Sequence, residues 1–205
     1  MAGRPTLLVL VKYPTPGAVK TRLAASIGPE RAAALYREWI GLVFDQLQLL
    51  REDARIVGYF DGAPREAFAP WRALADAWWR QPPGDLGERL HNGFATAHAL
   101  GAPVAAIGTD CLELDTPLVR RAFAMLRQND AVFGPAEDGG YYLVGTAQQL
   151  PNFFEGIPWS SPATLSAHLA LCVARGWSVG QLPVRQDIDT WEDWLRHGRS
   201  GQDHP

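Results

Sequence analysis

The chain predicts an α/β fold built on a mixed sheet, and three observations lead there. Strand-sized apolar runs alternate with amphipathic stretches along most of the 205 residues. An apolar share of 47% against 20% charged residues is enough for one sizeable core. The runs Ala131–Gly134 and Tyr141–Val144 are separated only by Pro135-Ala-Glu-Asp-Gly-Gly140. That linker is too short for a crossover helix, so these two runs cannot form a parallel βαβ pair.

Taken in order, strands are expected at Thr6–Val11, Arg55–Phe60, Val104–Gly108, Ala131–Gly134, Tyr141–Val144 and Ser178–Pro183. From Pro29, residues Ala33, Tyr36, Ile40, Val43, Phe44 and Leu47 recur at three- and four-residue steps, the stripe of an amphipathic helix opened by proline. Trp78-Trp79 reads as the end of an aromatic helix. A further helix spans Leu86–Leu100 with Leu90, Phe94 and Ala97 inward, and another Thr116–Gln128, with Thr116 as cap and Pro117 in the first turn. Trp159-Ser160-Ser161 reads as a capped start before an apolar helix. One domain is expected over 1–197, followed by a polar, Gly- and Pro-containing disordered tail at 198–205.

Composition removes several function classes. A net charge of -3 and a pI near 5.9 provide no basic field for nucleic acid. The longest apolar runs are strand-sized, far short of the roughly 20 residues of a membrane span, and the start lacks a secretory signal, so a cytoplasmic protein is expected. Cys111 and Cys172 have neither CxxC spacing nor flanking histidines, which argues against a disulfide framework or zinc site. His91, His98 and His168 have no partner spacing and are read as surface or satisfied residues.

The first strand runs into Lys12-Tyr-Pro-Thr-Pro16-Gly17-Ala-Val-Lys20-Thr-Arg22, three cations in a Pro/Gly-shaped turn. A buried strand ending in exposed N–H groups beside Lys and Arg suits an anionic phosphate chain; a solvated turn is the alternative. This is not a P-loop, because Val19 precedes Lys20 and Pro14 stands where the first glycine belongs.

Gly108-Thr109-Asp110 sets a carboxylate at the carboxyl edge of a buried strand, where α/β sheets bind ligands. Asp110 there suits a divalent cation bridging to phosphate oxygens, against the alternative of a local turn bond. Gln81-Pro-Pro-Gly84-Asp85 reads as a base-reading amide beside a close-approach glycine, as a helix start with Asp85 and Glu88 in a capping box, or as both. Glu137-Asp138-Gly-Gly-Tyr-Tyr is a ligand-approach turn or a hairpin. In Asp187-Ile-Asp189-Thr190, Asp189 is a second metal ligand or a helix cap. Threonine directly after the second aspartate rules out an aspartate-nucleophile motif.

In combination, Lys12-x-Pro-x-Pro-Gly-x-Val-Lys-Thr-Arg-Leu, Gln81…Gly84-Asp-Leu-Gly, Gly108-Thr-Asp110, Gly134-Pro-Ala-x-Asp-Gly-Gly-Tyr-Tyr-Leu, Trp159-Ser and Asp187-Ile-Asp-Thr resemble the bacterial DUF2064 family. That family sits in the GT-A, or nucleotide-diphospho-sugar transferase, superfamily, and some members are described as arsenosugar-biosynthesis glycosyltransferases. The resemblance implies a three-layer α/β/α sandwich with a mixed, mostly parallel central sheet, a nucleotide in the N-terminal half and an acceptor in the C-terminal half.

By this resemblance Pro16, Gly17, Lys20 and Arg22 match the phosphate-gripping loop, and Gln81 with Gly84 the base-reading segment; Lys12, Asp85 and Thr109 complete the expected nucleotide site. Asp110 falls at the metal aspartate. Leu112 replaces the second Asp of the usual DxD, leaving Asp138 and Asp189 as candidates, with Asp189 carried forward as ligand and Asp138 as the group that orients or deprotonates the acceptor. The expected activity is Mg2+- or Mn2+-dependent transfer of a sugar from a nucleotide sugar to a small-molecule acceptor, Lys20 and Arg22 assisting the leaving diphosphate. The cation-rich first loop is more typical of nucleotidyltransferases, so transfer from a nucleoside triphosphate to a phosphorylated small molecule is the alternative. A non-catalytic nucleotide-binding module is the third reading.

Overall fold

The computed structural model describes residues 3–101 and 103–200. Its strands are β1 (Thr6–Lys12), β2 (Arg55–Asp61), β3 (Ala77–Arg80), β4 (Val104–Ile107), β5 (Ala131–Pro135), β6 (Tyr141–Thr146) and β7 (Val179–Gln181). Its α-helices are α1 (Thr21–Ile27), α2 (Pro29–Gln46), α3 (Leu86–His98), α4 (Thr116–Met125), α5 (Thr164–Arg175) and α6 (Trp191–Ser200). The strands form one sheet in the order β3-β2-β1-β4-β6-β5-β7. β1 is parallel to β2 and β4, β2 to β3, and β5 to β7, whereas β6 runs antiparallel to both β4 and β5. The sheet is therefore mixed and mostly parallel, as the short Pro135–Gly140 linker requires.

Alternation along the central strands feeds two cores. Leu7, Val9 and Val11 join Ile56 and Phe60 in a cluster with α1, α2, α4 and the tryptophans of α6. Leu8, Val57 and Tyr59 join Leu90 and Phe94 of α3 and Cys172 of α5 on the opposite face. Helices cover both faces, so β1 is buried from Thr6 to Val9 and at Val11, and reads as a continuous apolar run up to the exposed Lys12 at its end. Each large side chain so buried contributes about 1.5–3 kcal/mol. No helix among the described residues is long and apolar enough to cross a membrane.

Three local readings are corrected. Trp78-Trp79 belongs to β3, an edge strand, and not to a helix end: the preceding Arg65–Leu74 is a 3-10 segment interrupted by Pro70, and the aromatic pair has strand propensity. Gly58 of β2 is what admits Trp78, since a Cβ there would lie 2.4 Å from its ring. α4 is capped by Asp115, whose carboxylate accepts the Leu118 N–H at 2.9 Å, and Thr116 lies inside the helix. α6 continues through Ser200, past the expected domain end; the rest of the expected tail, 201–205, lies outside the described residues.

α6 fixes the approach of the C-terminal segment. Thr190 caps it, accepting the Asp193 N–H, while Asp193 accepts the Thr190 N–H. Trp194 packs 5.4 Å from Trp39, and the Arg31 guanidinium lies 5.8 Å from the Trp191 ring.

Candidate functional site

The chain leaves β1 toward β2 and β3 on one side and places β4 on the other. The carboxyl ends of β1 and β4 thus flank a topological switch point, where the crossovers diverge and leave a crevice. The cationic loop follows β1 and Gly108-Thr109-Asp110 follows β4, so topology brings the two motifs face to face.

The loop is built to aim one side chain inward. Val19 is buried and anchors the loop to the core, which explains a β-branched residue where a P-loop needs glycine. The Lys12 ammonium donates to the Ala18 carbonyl at 2.9 Å, while Pro16 and Gly17 form the exposed outer turn, with Gly17 at φ 76°. Lys20 adopts the left-handed region, φ 46° and ψ 47°, an uncommon conformation for a residue with a side chain.

The Lys20 side chain is 5% exposed, and its Nζ lies 2.8 Å from Asp110 Oδ1, 3.0 Å from Asp189 Oδ1 and 2.6 Å from the Ile188 carbonyl. Burial alone would lower the ammonium, but Asp110 and Asp189 outweigh it and hold its pKa above the ordinary lysine value. Arg22, largely exposed, reaches Asp189 at 3.4 Å. The Ile188 N–H donates to the Asp110 carbonyl at 2.9 Å, which docks the C-terminal segment on the β4 loop. Asp189 is held by these contacts, and the cap of α6 is Thr190.

Thr109 is buried, its hydroxyl 2.8 Å from that of Tyr36, and Tyr36 also accepts the Lys12 N–H at 3.3 Å. Burial pushes the Tyr36 phenol up to about 12, so it stays protonated and braces both loops. Asp138 is exposed, and one of its oxygens accepts the Gly140 N–H at 2.8 Å. Its turn is bolted to α5: Gly139 accepts the Leu165 N–H at 3.0 Å, and a Cβ on Gly139 would meet the Pro162 carbonyl at 2.1 Å.

Two hollows meet here. One, of about 360 Å3, is lined by Lys12, Ala18–Arg22, Tyr36, Asp110 and Asp189. The other, about 330 Å3, shares Lys12, Tyr36 and Asp110 and extends over Leu10, Leu90, Ile107 and Tyr141 to Gln81. Each is large enough for part of a small ligand. Gln81 is buried in the wall, donating to the Tyr59 carbonyl at 2.7 Å, with its carbonyl oxygen 3.4 Å from Arg89. Gly84 and Asp85 serve the start of α3: Asp85 and Glu88 form a complete capping box, and the Gly84 carbonyl accepts from Arg89 at 2.9 Å.

Three lining residues escape a reading of the sequence. Asp187 lines the second hollow with one carboxylate oxygen buried and unpartnered. Burial, then the nearby Asp110 and Asp138 carboxylates, push it up to about 7 against the pull of Lys20. The only sequence signal was its place in Asp187-Ile-Asp189. Asp61 and Arg89 form a 2.7 Å ion pair on the far wall; burial raises Asp61, but Arg89 overrides it and leaves the carboxyl below its usual range. Asp61 closes β2, a position that could have been noticed; Arg89 carried no signal.

The donor set suits a divalent cation. Mg2+ typically takes one or two carboxylates and completes its shell with substrate phosphates and water. Asp110 and Asp189 converge on one ammonium, and Asp187, with its orphaned oxygen, is near enough for their charges to act on it. Among the described residues, no group of three His, Cys, Asp or Glu side chains is arranged to hold a metal alone.

The mixed, mostly parallel sheet is a fold found among nucleotide-diphospho-sugar transferases and nucleotidyltransferases. The chain belongs to the DUF2064 family, described as an uncharacterized protein conserved in bacteria, whose model matches residues 44–161. A structure from Desulfovibrio desulfuricans G20, provisionally named a nucleotide-diphospho-sugar transferase, is 31% identical over 97% of this chain and 88% of its own, with a TM-score of 0.88. The 4-diphosphocytidyl-2C-methyl-D-erythritol synthase of Anaerococcus prevotii DSM 20548 has 10% identity and a TM-score of 0.65, covering 98% of this chain and 99% of its own. Glucosyl-3-phosphoglycerate synthase of Mycobacterium tuberculosis, in complex with Mn2+, UDP and glucosyl-3-phosphoglycerate, has 12% identity and a TM-score of 0.59 over 95% and 75%. The last two show the fold. No curated protein matches the chain.

Proposed function

We propose that this protein is a divalent-cation-dependent transferase that binds a nucleoside diphosphate sugar in the switch-point crevice and passes the sugar to a hydroxyl of a small acceptor. The observation that carries this reading is the convergence of the β1 loop and Asp110 through Lys20, at the junction of two connected hollows. The 31%-identical neighbour, by its provisional name, and the Mn2+ and UDP in the mycobacterial neighbour support it.

In this reading Lys12, Lys20 and Arg22 meet the diphosphate, and the Pro16-Gly17 turn shapes the loop around it. Gln81, with Thr109 at the base of the cleft, borders the nucleoside, and Gly84 and Asp85 set the start of α3 that follows it. Asp110 and Asp189, with Asp187 beside them, would hold Mg2+ or Mn2+. When bound, that ion supplies counter-charge to the departing diphosphate. Lys20 and Arg22 add positive charge where negative charge develops, which lowers the barrier. Tyr36 keeps Thr109 and the Lys12 backbone still while this happens. Asp138 is the group that orients the acceptor hydroxyl or takes its proton.

The provisional name of the 31%-identical neighbour favours sugar transfer over nucleotidyl transfer. Burial first, then the Asp110, Asp138 and Asp189 carboxylates, disfavour ionised Asp187 against the pull of Lys20. The deciding experiment is product analysis with nucleotide sugars and nucleoside triphosphates, each with a panel of hydroxyl and phosphorylated acceptors. Release of a nucleoside diphosphate is the expected result; release of pyrophosphate would replace this reading by nucleotidyl transfer. Metal-dependent binding with no product from any pair would leave a binding module.

A further inference from the structure

We propose that the Lys20 ammonium is a stand-in cation: it occupies the site between Asp110 and Asp189 until the divalent ion arrives, then yields those oxygens and turns into the phosphate-side hollow. This rests on the metal-dependent reading above. Two carboxylate oxygens and the Ile188 carbonyl surround Nζ at 2.6–3.0 Å, and all three are hard oxygen donors of the kind Mg2+ and Mn2+ use. A divalent ion on these same oxygens would lie within a few ångströms of the ammonium, and the repulsion between the two cations favours one occupant at a time.

The exchange has somewhere to go. Lys20 itself lines the 360 Å3 hollow, between Lys12 and Arg22, so a rotation of its four-carbon stem moves the charge from the carboxylates to the space assigned to phosphate. Two features hold the first position. The Trp39 ring lies 5.5 Å from Nζ, and the left-handed backbone at Lys20 directs the stem inward. Among the described residues only Lys20, Asn152 and Ser160 adopt positive φ without being glycine, and such strain concentrates at ligand clamps and switches. Arg22 is the natural control: it also reaches Asp189, but from an exposed position and at 3.4 Å, so it does not fill the site.

Two measurements on the full chain test the exchange. The first is Mn2+ affinity without nucleotide, read by electron paramagnetic resonance, for the wild type, Lys20→Met and Arg22→Met. Removing the stand-in should tighten Mn2+ binding by roughly tenfold or more in Lys20→Met, against less than about threefold in Arg22→Met. Equal effects would mean that only net charge changed, and would overturn the proposal. The second uses the wild type alone: acetylation of Lys20 by a soluble anhydride, followed by mass spectrometry. Lys20 should be protected without metal, become several-fold more reactive when Mn2+ is bound, and be protected again when a nucleoside diphosphate is added. Unchanged reactivity with Mn2+ bound would contradict the exchange even if Lys20→Met fails to fold. Absence of Mn2+ binding to wild type and variants, with and without nucleotide, would instead remove the metal-dependent reading itself.

Discussion

His168 should make the fold acid-labile. The side chain is fully buried on α5, its ring centred 4.3 Å from that of Phe153 and 4.9 Å from that of Phe133. Nδ1 lies 3.5 Å from the Tyr141 hydroxyl, Nε2 is buried without a well-formed hydrogen bond, and the Phe153 backbone beside the ring opposes the effect of burial only in part. Burial therefore lowers its pKa from 6.5 to about 4. Well above pH 6.5 neither folded nor unfolded chain binds the proton, and the residue leaves stability unaffected by pH. Below it the unfolded chain takes up the proton and the folded one does not, so stability falls as the pH falls, until the folded pKa is passed. Integrating that difference gives a loss of about 2 kcal/mol by pH 5 and about 3 kcal/mol by pH 4. The assay is a series of urea unfolding curves between pH 7.5 and 5 for the wild type and His168→Phe, followed by tryptophan fluorescence. The variant carries its own packing cost at every pH, but its stability should fall by about 2 kcal/mol less over this range. Parallel pH profiles would refute a neutral, buried His168.

Other perturbations separate site from scaffold. Asp110→Ala should leave the melting temperature within a few degrees while lowering transfer on the order of a hundredfold or more, checked by steady-state kinetics with the sugar donor. Asp85→Ala removes half of the α3 capping box and should cost about 1 kcal/mol in chemical denaturation. Nucleotide affinity in that variant should change less than about twofold relative to wild type, and a larger loss would give the Asp85 carboxylate a direct role in binding. Gly139→Ala should destabilise the fold by about 2–3 kcal/mol, because its φ of 88° disfavours a side chain and the added carbon meets the Pro162 carbonyl.

Most of the architecture was legible because it follows from periodicity and loop length. Apolar runs fixed β1, β2 and β4, and a six-residue linker that no helix can occupy required an antiparallel pair at β5 and β6. The opposition of Lys20 and Asp110 was legible for a similar reason, since residues after neighbouring parallel strands emerge at one edge. β3 was not. Its four residues are too few for a period, and their strand state depends on Gly58 of β2 accepting the Trp78 ring. Asp187 escaped because its burial arises only when Ile188 docks on the Asp110 backbone, a contact spanning 78 residues of sequence (188 less 110). Asp61 and Arg89 meet through the packing of α3 on the sheet, and no spacing rule encodes that. The Asp85 motif carried two meanings in sequence, and the structure shows the capping one in full.

The crevice as a metal-assisted nucleotide site is tested most directly by thermal unfolding with a panel of nucleoside diphosphates and their sugars, in Mn2+ and in chelator, for wild type and Asp110→Ala. A ligand at about one hundred times its dissociation constant stabilises the folded state by about 2.7 kcal/mol, a rise of roughly 5–10 °C for a chain of this size. The account predicts that rise for wild type in Mn2+ and its loss in chelator or on removal of Asp110. An equal rise in Asp110→Ala, or no response to any nucleotide in Mn2+, would contradict it.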